Sequence, residues 1–156
     1  SFEGFCSGVG IKKLAELTAS KYLRENKKSS LFKSEADFSN LTAANIAKAM
    51  YEGDEFAIAV YKKCAEYLGR GLSVIIDIIN PEAIVIGSIF ERNEEFFQSE
   101  IKEIIEKESL TDNVKSCKIL SAELGDSIGD FASLGLLFWG DRKWKITLKV
   151  SVVSFL

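Results

Sequence analysis

The stretch from Gly53 to Ser88 constrains this chain more than any other: an apolar stripe of helical period runs into Asn80-Pro81, followed by a short apolar run and a small-residue turn. Ala57, Val60, Tyr61, Cys64, Tyr67, Leu68, Gly71, Leu72, Ile75, Ile76 and Ile79 recur every three or four positions. That spacing predicts one long helix with a buried face. Gly53 suits the end of a preceding helix, and Asp54 can accept hydrogen bonds from the first free amides of the next. Pro81 has no amide proton and biases Asn80 away from helical angles, so the helix stops there. Ala83 to Ile86 can then run as a buried strand closed by a turn at Gly87-Ser88.

Elsewhere the pattern alternates in the same way. Ile11, Leu14, Ala15, Leu17, Ala19 and Tyr22 predict a helix from about Gly8 to Leu23, and the charged, serine-rich segment from Arg24 to Asn40 reads as a loop with one short turn. Thr42 can cap a helix through Met50. After Ser88, the positions Phe90, Phe96, Phe97, Ile101, Ile104 and Ile105 predict a single helix with Asn93 near its start. Cys117 to Leu120 suits a second strand, and Ser127 to Phe138 a helix with a flat side of Gly129, Ala132, Ser133 and Gly135. Helices alternating with short buried strands imply parallel crossover units and an α/β fold with right-handed connections. The tail from Lys143 to Leu156 alternates apolar and polar residues and suits a strand. An added edge strand, an interface element and a segment foreign to the fold all fit it.

Composition sets the bounds. With 156 residues, 47% of them hydrophobic, the chain can bury one substantial core. A net charge of −3 with interspersed signs offers no basic stripe, so nucleic-acid binding by this segment is not expected. No apolar run approaches the roughly 20 residues of a membrane span, and no signal-like start is present, which makes cytoplasmic residence the expectation. Cys6, Cys64 and Cys117 are scattered, supporting neither a disulfide framework nor a metal cluster, and Cys64 reads as a core residue. Without histidine, any acid–base work falls to carboxylates.

In open α/β sheets, ligands collect outside the carboxyl ends of the strands, where small residues let backbone amides approach a phosphate or sugar. Gly87 and Ser88 occupy such a place, although a strand followed by Gly-Ser is by itself an ordinary turn.

Several landmarks add to this in order: Gly53-Asp54, Leu68-Gly69-Arg70-Gly71-Leu72, Asn80-Pro81-Glu82, Ile84-Val85-Ile86 and Gly87-Ser88. Upstream stands Glu3-Gly4-Phe5-Cys6-Ser7-Gly8, and downstream Leu124-Gly125-Asp126-Ser127-Ile128-Gly129. Together they closely resemble the C-terminal half of the ROK family of bacterial sugar kinases, glucokinase-like enzymes and sugar-responsive repressors, over about Ser1 to Phe138. The resemblance implies an actin-like, ribonuclease-H-like ATPase fold, with a domain over residues 1–138 and a tail of unassigned role over 139–156. It implies that Glu3 contacts the sugar, since a carboxylate accepts hydrogen bonds from hydroxyls. It places Gly87, Ser88, Gly125, Asp126 and Gly129 toward a nucleotide, ATP with Mg2+ in the parent protein. Sugar as substrate or effector and a homo-oligomeric state follow in the same way.

The departures bear on these expectations. Only Ser1 and Phe2 precede Glu3 where the family has a cysteine cluster, so zinc is not expected. Ser88 replaces the usual second glycine, Ile128 an alanine and Ala132 a glycine, which would narrow a nucleotide pocket. The phosphate loop and the catalytic aspartate of the family's N-terminal half have no counterpart, and Asp112-Asn113 is reversed in order and set in a predicted loop. The chain is therefore expected to be the C-terminal portion of an ATP-dependent hexose kinase, inactive alone and with no catalytic residue of its own. A sugar-sensing repressor of the same family is the alternative, and a non-catalytic interaction domain the third.

Overall fold

Side-chain caps set where three of the main helices begin. The computed structural model describes residues 3–123, 125–127 and 150–153, with Glu3, Asp126 and 150–153 described by backbone alone. The first helix, α1 (Glu3–Cys6), leads into α2 (Gly8–Arg24), where Ser7 accepts from the Gly10 amide at 3.1 Å. Thr42 and Asn45 cap each other's backbone amides to open α3 (Ala43–Tyr51), at 3.2 and 2.9 Å. Gly53, at φ +86°, carries the chain out of α3 through a conformation that favours glycine. Asp54 then opens α4 (Glu55–Ile79) by accepting from the Ala57 amide at 3.0 Å.

The α4 helix is the central support. Phe56, Val60, Tyr61, Cys64, Leu68, Leu72 and Ile76 are buried, against α2 and α3 on one side and α6 (Glu94–Glu108) on the other. Tyr67, Gly71 and Ile75 are half-buried, and Ile79 is 57% exposed. Gly69 explains a glycine inside a helix: a Cβ there would stand 2.9 Å from Ile104 Cγ2 of α6. Gly10 plays the same part between α1 and α2, where a Cβ would meet the Gly4 carbonyl oxygen at 2.6 Å.

At the end of α4, Asn80 turns left-handed, φ 48° and ψ 58°, with its amide on the Ile76 carbonyl at 2.9 Å. This also keeps it off the right-handed angles that Pro81 disfavours. Next comes β1 (Ala83–Ile86), with Ile84 and Ile86 buried.

The single helix expected after Ser88 is two, α5 (Ile89–Arg92) and α6, broken at Asn93. The Asn93 side chain donates to the Ile89 carbonyl at 2.9 Å instead of capping α6. The segment around Asp112-Asn113, expected as loop, forms α7 (Thr111–Ser116). Asp77 on α4 pins it by accepting from the Leu110 amide at 3.0 Å, and Ser116 donates to the Asn80 side chain at 3.1 Å. Cys117 closes α7, so β2 (Lys118–Ser121) starts one residue later than expected.

The sheet has the order β2-β1-β3 and is parallel, with Ala83 opposite Lys118 and Val150. The third strand, β3 (Val150–Val153), comes from the tail and pairs with β1 along its whole length. Of the helix expected from Ser127 to Phe138, residues 128–138 lie outside the described residues; Gly125–Ser127 forms a single 3-10 turn. Among the described residues no helix is long and apolar enough to cross a membrane.

Candidate functional site

Two parallel strands in register bring their carboxyl ends to one edge of the sheet. Ile86 stands opposite Ser121, and the ladder runs one bond further, from the Ala122 amide to the Ile86 carbonyl at 2.9 Å. The loops that leave this edge carry Gly87 and Ser88 on one side and Gly125 on the other. They lie close together, since a Cβ built at Gly87 would stand 3.4 Å from that of Ala122.

The residue that needs glycine-like freedom in the first loop is not Gly87 but Ser88. It sits at φ 61° and ψ −119°, the angles of the first central residue of a type II′ turn, which glycine dominates. Its hydroxyl caps nothing in α5, so the strained backbone is not explained by a local bond of its own. In the second loop Gly125 has φ +51°, which suits glycine.

Between the two loops lies a carboxylate that sequence reasoning did not single out. Glu91 on α5 reaches back so that its Oε1 would stand 2.8 Å from a Cβ at Gly125, and its Oε2 4.0 Å from one at Gly87. Each oxygen thus faces one loop. The side chain is half-buried, and no hydrogen bond or ion pair engages it among the described residues. In the sequence it sits in the run Glu91-Arg92-Asn93-Glu94-Glu95, which reads as a solvated face. Only the closure of the second loop over the first distinguishes it from its neighbours.

The structure therefore brings together Gly87, Ser88 and Gly125 and adds Glu91. Asp126 belongs by backbone to the 3-10 turn after Gly125, while its side chain and Gly129 lie outside the described residues. Glu3 opens α1, and its side chain also lies outside them. The start of α2 approaches the same region, with Gly8 in contact range of Ile89 on α5, 3.7 Å from a built Cβ. Two surface clefts lie elsewhere. One of about 340 Å³ between α6, α7 and β2 is lined by Ile101, Ile105, Val114, Cys117 and Ile119, and one of about 260 Å³ between α4 and α6 by Glu66, Arg70 and Glu108. Neither takes in Gly87, Ser88, Glu91 or Gly125.

The cysteines are set apart from this edge chemically. Cys6 is buried against the Cys64 carbonyl, Sγ to O 3.9 Å, and the neighbouring Cys6 together with burial pushes the Cys64 thiol up, which makes it a poor nucleophile. Among the described residues no group of three acidic or sulfur side chains stands close enough to hold a metal ion.

The edge favours one chemistry over another. A carboxylate only accepts hydrogen bonds, so it can hold a ligand's hydroxyl groups. A phosphate about 4 Å away would instead be repelled by about 4 kcal/mol at an effective dielectric constant of about 20. At this point of the edge the residues present thus suit neutral hydroxyl donors better than a phosphate.

A sequence profile described as the ROK family matches residues 2–137. A glucokinase of Halalkalibacterium halodurans is 28% identical over 127 residues, which make up 81% of this chain and 37% of that enzyme. Among solved structures, a candidate sugar kinase from Cytophaga hutchinsonii superposes with a TM-score of 0.65 at 23% identity, over 80% of this chain and 40% of that one. A ROK family transcriptional regulator, a homologue of the E. coli MLC protein, gives a TM-score of 0.63 at 22% identity, over 78% and 28%. The two share the actin-like ATPase fold with this chain, which spans less than half the length of each of these relatives.

Proposed function

Because this chain belongs to the ROK family, we propose that it is the C-terminal portion of an ATP-dependent hexose kinase of that type. The observation that carries the reading is the pair of loops at the carboxyl edge of β1 and β2, with glycine-like backbones at Ser88 and Gly125, in a chain related to a glucokinase. Residues 1–138 form the family domain, and 139–156 are an added tail. In this reading Gly87, Ser88, Gly125, Asp126 and Gly129 face ATP, and Glu3 accepts hydrogen bonds from the sugar hydroxyls. ATP with Mg2+ supplies the phosphoryl group. The magnesium ligands and the base that takes the sugar's proton belong to the remainder of a cytoplasmic, homo-oligomeric parent.

The test is ADP release by the parent protein with ATP and a panel of hexoses. Turnover that requires a hexose is expected, and Glu3→Gln should raise the sugar KM by about tenfold or more through loss of a charge-assisted hydrogen bond. A parent that binds sugar without turnover would sink the kinase reading. It would favour the second one, a sugar-sensing transcriptional regulator, which the nearly equal likeness to a ROK regulator supports. An unchanged sugar KM would remove Glu3 from the site.

A further inference from the structure

We propose that Glu91 is the ribose-binding residue of the nucleotide site, accepting hydrogen bonds from the vicinal 2′- and 3′-hydroxyls; this rests on the reading of the β1–β2 edge as the nucleotide-facing surface. Three features of the edge carry the inference. First, the two carboxylate oxygens are divided between the loops, Oε1 toward Gly125 and Oε2 toward Gly87. Two acceptors about 2.2 Å apart on one carboxylate match the two neighbouring donors of a diol. Second, the half-buried carboxylate has no hydrogen-bond or ion-pair partner among the described residues, so none of them takes up its acceptor capacity. Third, Gly125 leaves no room for a side chain on that side, since even a Cβ would come within 2.8 Å of Oε1. A substituent there would push the carboxylate off the edge, so the glycine keeps the acid in position.

The charge decides which part of a nucleotide lies here. Phosphates carry only acceptors and negative charge, while the ribose carries neutral donors. Glu91 thereby sets the orientation, with the ribose on the acid and the phosphates away from it. The same charge selects ribonucleotides over their 2′-deoxy counterparts, because a deoxyribose leaves one carboxylate oxygen desolvated and unpaired.

The experiment titrates the parent protein, unmodified and as Glu91→Gln, with ATP, 2′-deoxyATP and adenosine by calorimetry, and with the hexose in parallel. The unmodified protein is expected to prefer ATP to 2′-deoxyATP by about tenfold or more, and Glu91→Gln to weaken ATP and adenosine by a similar factor while bringing the preference toward one. Tighter ATP binding by the variant with adenosine unaffected would mean that the acid merely repels phosphate, and would overturn the proposal. A shift confined to the hexose titration would assign the carboxylate to the sugar and overturn it as well. ATP bound with no preference for the 2′-hydroxyl in the unmodified protein would end this inference alone. Failure of that protein to bind ATP or adenosine would end the nucleotide reading with it.

Discussion

Ser88 holds a backbone that glycine adopts freely and serine does not, and the cost at such a position is about 1–3 kcal/mol. Ser88→Gly is therefore expected to stabilise the protein by about 1 kcal/mol, the steric relief exceeding the extra entropy of the unfolded glycine. Ser88→Ala should give no such gain, since the strain lies in the backbone and not in the hydroxyl; chemical denaturation of both variants reads the difference. A gain in both would shift the explanation to the hydroxyl. Of the edge, Gly87 and Ser88 were legible because a strand end and its turn are local signals, whereas Gly125 was picked out only by the resemblance to the ROK family. The sequence could not assign the unusual backbone to Ser88 over Gly87, which depends on how the loop folds against Ala122. Glu91 was hidden in a charged run, for an acid acquires a role only from what the fold sets opposite it.

At the level of elements, Asp54 ties the start of α4 to the loop before α3. One oxygen accepts from the Ala57 amide, and the other from the Ser30 amide at 2.7 Å and the hydroxyls of Ser30 and Ser29 at 2.8 and 3.0 Å. Partial burial alone would raise its pKa; the amides of Ser30 and Ala57 and the two hydroxyls outweigh that and hold it below the ordinary 3.8. The folded pKa lies under the unfolded one, so this contribution to stability is complete above the unfolded value and is lost as pH falls through the folded value. Asp54→Asn, which keeps a capping oxygen, should lower stability by about 1 kcal/mol at neutral pH and flatten the decline in midpoint below about pH 4. Parallel acid limbs in the two proteins would show that Asp54 does not titrate with folding. The helices around it were readable because caps and period are properties of neighbouring residues: Ser7, Thr42 and Asp54 all stand where a helix begins. The break at Asn93 was not, since Phe90, Phe96 and Phe97 keep an apolar spacing across it and only the bond from Asn93 to Ile89 reveals the stop. Nor was α7, whose six residues carry no apolar period and are held by Asp77 of the distant α4 and by Asn80 just beyond its end.

For the whole molecule, the telling contact is between β1, inside the family match, and β3, outside it. Removing residues 139–156 would bare four residues of β1 edge, a row of unpaired backbone groups prone to pairing with another chain. The shortened protein is expected to be less stable and to associate in a concentration-dependent way, as followed by light scattering; an unchanged mass and midpoint would show that the tail strand adds nothing. The two pairings of β1 also differ in how much chain they enclose. Ala83 meets Lys118 after a short detour through α5, α6 and α7, but meets Val150 only after nearly twice that separation. Each doubling of an enclosed loop adds about 0.6 kcal/mol of closure entropy, and contacts distant in sequence form late. The sheet is therefore expected to close in sequence during folding, β1 and β2 zipping first and the tail arriving last on a surface already built.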